Sequence, residues 1–314
     1  MFIVDAHCDT LIDVLAGKRR LADESKGGHI DIPRLKRGGV GAQVFAAWIE
    51  RSYLPGSAAR RACQYIDAFY SEIEANPHDL VFVKTAADLA RAEAEGKIGA
   101  ILAIEGGEAL DGAVEMIRIF YRLGVRLMTI TWSDRNELGD GAYDPTGGGL
   151  TKAGVKVVQE MNRMGMVVDV SHAADATFWS ILEHTHGPLV ASHSNSRALF
   201  NHPRNLTDKQ VEAIAARGGV VCATLVAPFL GPAYNSVSGL VDHIDHLVKV
   251  AGIEHVGIGS DFDGVGPDGL VAGMADTSDM GMIVAEMRRR GRPEHGIEAI
   301  MGRNLARVFA QILG

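Results

Sequence analysis

Cysteine is scarce in this chain: 314 residues hold only Cys8, Cys63 and Cys222. That is too few and too scattered for a disulfide framework or a CxxC zinc site, and it fits a reducing compartment. No apolar run approaches the roughly 18 residues a membrane-spanning helix needs. Met1 is followed at once by Phe-Ile-Val-Asp-Ala-His, without the basic stretch that opens a secretory leader, so the expected location is cytoplasmic. Long basic blocks are also missing, and the formal net charge is −8. Nucleic acid and anionic membranes are therefore poor partners. The densest basic stretch, Arg288-Arg289-Arg290, is expected at a helix C-terminus, where positive charge is favoured. There is no proline- or serine-rich linker. No glycine-rich turn follows the first apolar run, as a dinucleotide-binding sheet would require. Gly147-Gly148-Gly149 follows no strand pattern and reads as a loop.

What is present is a large apolar fraction, 47% hydrophobic against 22% charged residues, which suits a globular core. Eight short segments read as strands: 2–7, 42–48, 99–105, 125–131, 166–171, 189–193, 219–224 and 255–261. Most are continuous apolar runs, as expected for parallel strands covered on both faces. Stretches with helical spacing lie between them, at 60–75, 113–123, 151–164, 173–184, 207–217 and 240–251. In the first of these, Ala62, Ile66, Phe69, Tyr70 and Ile73 form one stripe. Strand and helix alternating about eight times predict an α/β fold of the (β/α)8 TIM-barrel class. Residues 1–314 are expected to form one domain. Two further helices, near 277–290 and 293–313, are expected to pack outside the barrel.

Four of the predicted strands stop on residues that bind metals. The first runs into His7-Cys8-Asp9, the third ends on Glu105, the fifth reaches Ser171-His172 and the sixth reaches Ser192-His193. A barrel gathers strand ends together, so these side chains converge on a two-metal hydrolase site. His7 and Asp9 are two apart on extended chain and point to one side, Cys8 to the other. Asp5 shares their side one step deeper and is placed to orient a ligand. Glu105 has two oxygens and can bridge two cations, and Gly106-Gly107 beside it leave space over the metals. Neutral imidazoles at His172 and His193 suit zinc. Asp261, closing the eighth strand, is placed as a general base for a metal-bound water. Asp263 is the competing choice, unless it serves the turn before Gly264. His184, His186, His243 and His246 fall on helices or helix ends and read as structural.

The chain resembles the membrane dipeptidase (renal dipeptidase) family, zinc peptidases of the amidohydrolase superfamily. The landmarks are Asp5-Ala-His-Cys-Asp9, Ile104-Glu-Gly-Gly107, Asp169-Val-Ser-His172, Ala191-Ser-His-Ser194, Arg204-Asn205, Gly257-Ile-Gly-Ser-Asp-Phe-Asp-Gly264 and Gly302-Arg-Asn-Leu-Ala-Arg-Val-Phe309. The resemblance implies two Zn(2+) ions: His7 and Asp9 on one, His172 and His193 on the other, Glu105 bridging both. It implies Asp261 as catalytic acid/base and Arg204 as the grip on a substrate's free carboxylate, with Arg197 as the alternative. Guanidinium pairs with carboxylate in a two-pronged fork, so that role is physically sound. The implied substrate is a small dipeptide, with tolerance for L-Xaa-D-Xaa, and the family expectation is a homodimer. One position departs from the pattern. Family members often carry a histidine against the scissile group after the fourth strand; here Trp132 stands there. An indole N–H donates one hydrogen bond and cannot titrate, which leaves carbonyl polarisation to the metal or to a neighbour such as Asn136.

Two other readings compete. Another amidohydrolase-superfamily enzyme, cleaving an N-acyl amino acid, another amide or a lactone, would keep the metal site and change the pocket. A non-enzymatic barrel would have no use for five ligands and a base.

Overall fold

The computed structural model describes residues 1–24 and 27–314. Its strands are β1 (Ile3–Cys8), β2 (Val40–Trp48), β3 (Leu80–Phe82), β4 (Ile98–Glu105), β5 (Val125–Thr129), β6 (Val167–Asp169), β7 (Val190–Ala191), β8 (Val220–Ala223) and β9 (Val256–Ile258). All the ladders between them are parallel. The order β2-β1-β9-β8-β7-β6-β5-β4 closes on itself through β2 against β4. This is the eight-stranded (β/α)8 barrel that the alternation predicts. β3 is an extra strand outside the expected eight. One edge of β4 pairs with β2; the other is divided, residues 98–100 taking β3 and 102–105 taking β5. Three residues are too short a run to show periodicity, which is why β3 is silent in the sequence.

The helices explain themselves locally. Ala58–Ala75 buries Ala62, Tyr65, Ile66 and Phe69, a 3.6-residue stripe laid on the barrel. Asp208–Ala216 starts where the Thr207 hydroxyl accepts from the main chain of Gln210 and the Gln210 side chain returns the bond. Lys152–Met164 ends at Gly165, whose φ of +72° favours glycine. Arg288 and Arg289 occupy the last turn of Met280–Arg289, as the helix dipole prefers. The short helices Leu11–Leu15, Ile32–Gly38 and Ala227–Leu230 carry too few turns to stand out in the sequence, and Ala86–Ala94 is a further helix outside the expected set. The expected helix over 293–313 is Glu294–Glu298 and Asn304–Leu313 joined by a π turn at Ala299–Arg303. At that turn Gly302 lies so close to β1 that a Cβ would meet the Phe2 carbonyl oxygen at 2.0 Å.

Two apolar layers result. Phe45, Leu102, Met128 and Val168 face outward and meet helix residues such as Phe69, Phe120 and Phe178. Val4, Ala42, Val44, Ile101, Leu127 and Val220 fill the interior together with Leu305, Val308 and Phe309 of the last helix. That helix lies outside the strand ring and covers one mouth, leaving the carboxyl ends of the strands for the site. Among the described residues, no helix is long and apolar enough to cross a membrane.

Candidate active site

Each strand-end residue singled out in the sequence reaches one buried cluster at the carboxyl mouth. His7 Nε2 lies 3.3 Å from Asp9 Oδ2, 3.7 Å from Glu105 Oε1 and 3.9 Å from Asp261 Oδ1. Glu105 Oε1 lies 2.9 Å from His172 Nε2 and 3.3 Å from His193 Nε2. Backbone conformation helps aim these groups. Among the described non-glycine residues, left-handed φ occurs at Asp111, His172 (+66°), Asp261 (+63°) and Asp263 (+68°). Three of these four unusual conformations sit at this mouth, and at His172 and Asp261 they accompany side chains that face the cluster. β1 also shifts register between Asp5 and Cys8. Asp5 makes no hydrogen bond to the His7 ring, whose nitrogens have no such partner among the described residues. It accepts from the His7 main-chain N–H at 3.4 Å and from the Ser260 N–H and hydroxyl at 2.8 and 2.6 Å, tying β1 to the segment that carries Asp261.

A buried carboxylate that the sequence reading passed over sets the state of His193. Asp169 accepts from Thr129 Oγ1 (2.7 Å), Ser192 Oγ (2.6 Å) and the N–H groups of Ser171 and Ser192. Ser192 has one proton and gives it to Asp169, so at 2.7 Å it must accept from His193 Nδ1–H. The network thus assigns His193 the tautomer with a bare lone pair on Nε2. That lone pair faces His172 Nε2 at 2.8 Å and the Glu105 oxygen. His172 Nδ1 meets Ser133 Oγ at 3.3 Å. Among the described residues, both ring nitrogens of His7 and Oδ1 of Asp9 are buried without a hydrogen-bond partner.

The electrostatics of the cluster are strongly perturbed. Burial holds His172 and His193 well below the ordinary imidazole range, which favours their neutral forms. Burial pushes the Glu105 carboxyl well above its usual range, and neighbouring Asp9 and Asp261 push the same way. Burial alone would depress His7, but the carboxylates of Glu105, Asp9 and Asp261 lift it to about 10. Two sets of ligand atoms lie close enough to share a cation: His7, Glu105 and His193, and His7, Asp9 and Asp261. Orphaned nitrogens, bare lone pairs and converging carboxylates are a donor set that fits divalent metals.

The structure separates the paired alternatives. Asp263 is fully engaged: Thr10 Oγ1 donates to it at 2.7 Å, the His29 N–H at 2.6 Å, and Arg19 pairs with it at 2.5 Å. Asp261 instead faces the cluster, and burial raises its carboxyl to about 6. A Cβ on Gly264 would stand 2.3 Å from Asp261 Oδ1 and 2.4 Å from Asp9 Oδ2, so only glycine lets both carboxylates close in. Arg197 is spent on Asp175, two bonds of 2.8 and 2.9 Å, and on the Asn205 carbonyl. Arg204 is buried, touches the His193 carbonyl at 3.2 Å, lies 5.2 Å from the Phe229 ring and keeps Nε without a partner among the described residues. His184 bonds the Ser180 carbonyl, His243 the Leu230 carbonyl and His246 the Asp208 carboxylate, all outside the site.

Over the cluster opens a cavity of about 350 Å³ lined by Ile12, Trp48, Trp132, Tyr143, Phe229 and Val265 beside Asp9, Glu105, His172 and Asp261. Two expectations change here. Gly106-Gly107 do not leave open space: a Cβ on Gly107 would meet the Ile130 carbonyl at 2.7 Å, because the turn after β4 presses on the segment after β5. Asn136 is not free to polarise a carbonyl, since its amide donates to Glu108 and to the Ile130 carbonyl and accepts from Leu138 and Gly139. Trp48 ends β2 in register with Glu105 and lines the cavity; the sequence reading gave it no role beyond closing the second strand.

Comparison with known proteins agrees with this geometry. The profile of membrane dipeptidases (peptidase family M19) matches residues 1–313. An uncharacterised dipeptidase of Schizosaccharomyces pombe is 35% identical, the match covering 98% of this chain and 79% of that protein. The dipeptidase verJ of Clonostachys rogersoniana is 31% identical over 90% of this chain and 76% of its own. Among solved structures, a metallo peptidase from Rhodobacter sphaeroides, liganded with a phosphinate mimic of the dipeptide L-Ala-D-Ala, superposes with a TM-score of 0.92 at 26% identity over 99% of each chain. The metallo peptidase dipeptidase AC gives 0.93 at 28% identity, over 100% of this chain and 99% of its own.

Proposed function

The chain belongs to the membrane dipeptidase family of metal-dependent dipeptidases, and on that premise we propose that it cleaves dipeptides with a free C-terminal carboxylate, L-Xaa-D-Xaa included, using two zinc ions. The observation that carries the reading is Glu105 Oε1, which lies 2.9, 3.3 and 3.7 Å from the Nε2 atoms of His172, His193 and His7. A carboxylate so placed is within reach of the ligands of both ions. In this reading His7 and Asp9 would hold one zinc, His172 and His193 the other, and Glu105 would serve both. When bound, the zinc pair supplies Lewis acidity for the peptide carbonyl and lowers the pKa of a water.

The chain's own groups do the rest. Asp261, buried beside His7 and Asp9, takes the proton of the attacking water and returns it to the leaving amine. Arg204 binds the terminal carboxylate with its fork, which limits substrates to two residues. Among the described residues the Nε–H of its buried guanidinium has no partner, which supports that role. Trp132 shapes the pocket and transfers no proton, because an indole does not titrate in this range. The L-Ala-D-Ala mimic held by the Rhodobacter peptidase supports a D-residue at the second position.

The test is hydrolysis of matched L,L and L,D dipeptides by protein as purified, after chelation, and after zinc is restored. Cleavage should vanish with the chelator, return with zinc, and be lost when the C-terminal carboxylate is amidated. Metal-loaded protein that splits N-acyl amino acids and no dipeptide would move the assignment to that class.

A further inference from the structure

We propose that Trp48 and Trp132 form the wall that receives the side chain of the substrate's amino-terminal residue, selecting large apolar and above all aromatic side chains. The inference rests on the dipeptidase reading above and adds what that reading leaves open: which side chain is preferred, and where it binds.

Strand order places the wall. Going round the barrel, the sequence is β1, β2, β4, β5, β6, β7, β8, β9. Trp48 closes β2 and Trp132 follows β5. Arg204 follows β7, touches the His193 carbonyl and lies over Phe229, which follows β8. The two tryptophans and the arginine therefore occupy opposite arcs of the mouth. Glu105, on β4 between the tryptophan strands, and His193, at the foot of Arg204, mark the ground between them. A dipeptide whose carboxylate rests on Arg204 and whose peptide bond lies over that cluster directs its first residue at Trp48 and Trp132.

The wall is built as one unit. The indole rings lie 5.1 Å apart at 59°, and Trp132 lies 6.0 Å from the His172 ring. Arg51 stacks over Trp132 at 5.9 Å, and its charge is taken up by Asp134. Arg51 also lines the cavity, at its solvent-exposed edge, and the two indole faces supply the apolar surface inside it. Two tilted indole faces present broad apolar surface and favour edge-to-face contact with a third ring. A short side chain would leave that surface wet.

The measurement is kcat/KM on a series with C-terminal alanine fixed and glycine, alanine, leucine, phenylalanine or tryptophan in front. A companion series fixes alanine in front and varies the second residue. Wild type should prefer phenylalanine to alanine at the first position by about tenfold or more. Trp132→Ala and Trp48→Ala should each collapse most of that ratio, Trp132→Phe should retain it, and the companion series should keep its order. Wild type that cleaves all first-position variants equally overturns the wall and leaves the dipeptidase reading intact. So do variants that reorder the companion series instead. Metal-loaded wild type that cleaves no dipeptide overturns both. The wild-type comparison needs no variant, so misfolding of a substituted protein cannot shield the proposal.

Discussion

At the scale of the residue, Ser192 shows how one hydroxyl sets the chemistry of another side chain. It donates to Asp169 at 2.6 Å and accepts from His193 Nδ1 at 2.7 Å. Ser192→Ala removes the acceptor that fixes the ring. Metal affinity should fall by ~10–100-fold while the fold persists, as read by chelator competition alongside circular dichroism. Asp261 is a different case: it lies within reach of the same cation as His7 and Asp9, but the proposed reading makes it the proton carrier and leaves the metals to the other five side chains. Asp261→Asn should keep the full metal content by elemental analysis and lose turnover by ~10²–10⁴-fold. Normal turnover in that variant would remove Asp261 from the mechanism. The sequence favours Asp261 over Asp263 by its place at the strand end and by the family pattern; what it does not contain is the use of Asp263, which Arg19, His29 and Thr10 reach from distant parts of the chain.

At the scale of the element, the helix Val237–Ala251 carries a histidine used for structure. His243 receives the Ser196 N–H at 3.2 Å and contacts the Leu230 carbonyl at 3.2 Å, joining the loops after β7 and β8 to the helix. Burial disfavours its charged form and lowers it to about 4 from an ordinary 6.5. Between those values the unfolded chain binds the proton and the folded chain does not. Its contribution to stability is therefore present above pH 6.5 and lost as pH falls toward 4. In urea unfolding, the stability advantage of wild type over His243→Asn should shrink by up to about 3 kcal/mol across that window. A gap independent of pH would show that the imidazole does not stay neutral. Elements also explain what the sequence reading missed. β3 and the helix Leu11–Leu15 are too short for a period, while Lys152–Met164 and Ala58–Ala75 are long enough to declare their buried stripe.

At the scale of the whole molecule, the barrel needs its last helix. Phe309, fully buried, packs with Leu305 and Val308 against interior residues drawn from several strands. Phe309→Ala should cost about 3–5 kcal/mol in urea unfolding, and a cost near zero would mean that the helix is dispensable as a plug. The opposite mouth carries the site, so stability and chemistry are held at opposite ends of one set of strands, as barrels of this class arrange them.

The sequence by itself determined the strand count within one, the alternation that makes a barrel, and the six polar residues at strand ends. Those are local properties: a short apolar run that stops on a ligand can be read without knowing its neighbours. Tertiary structure alone showed what occupies Arg197 and Asp263, the less favoured member of each pair, that Asp169 governs His193 through Ser192, and that Trp48 lines the pocket. Each of those depends on groups far apart in the chain. Arg197 is excluded by Asp175, and Trp48 only closes a strand until its register with Glu105 brings it to the mouth. Partners of that kind are set by strand order and closure, which the one-dimensional pattern does not contain.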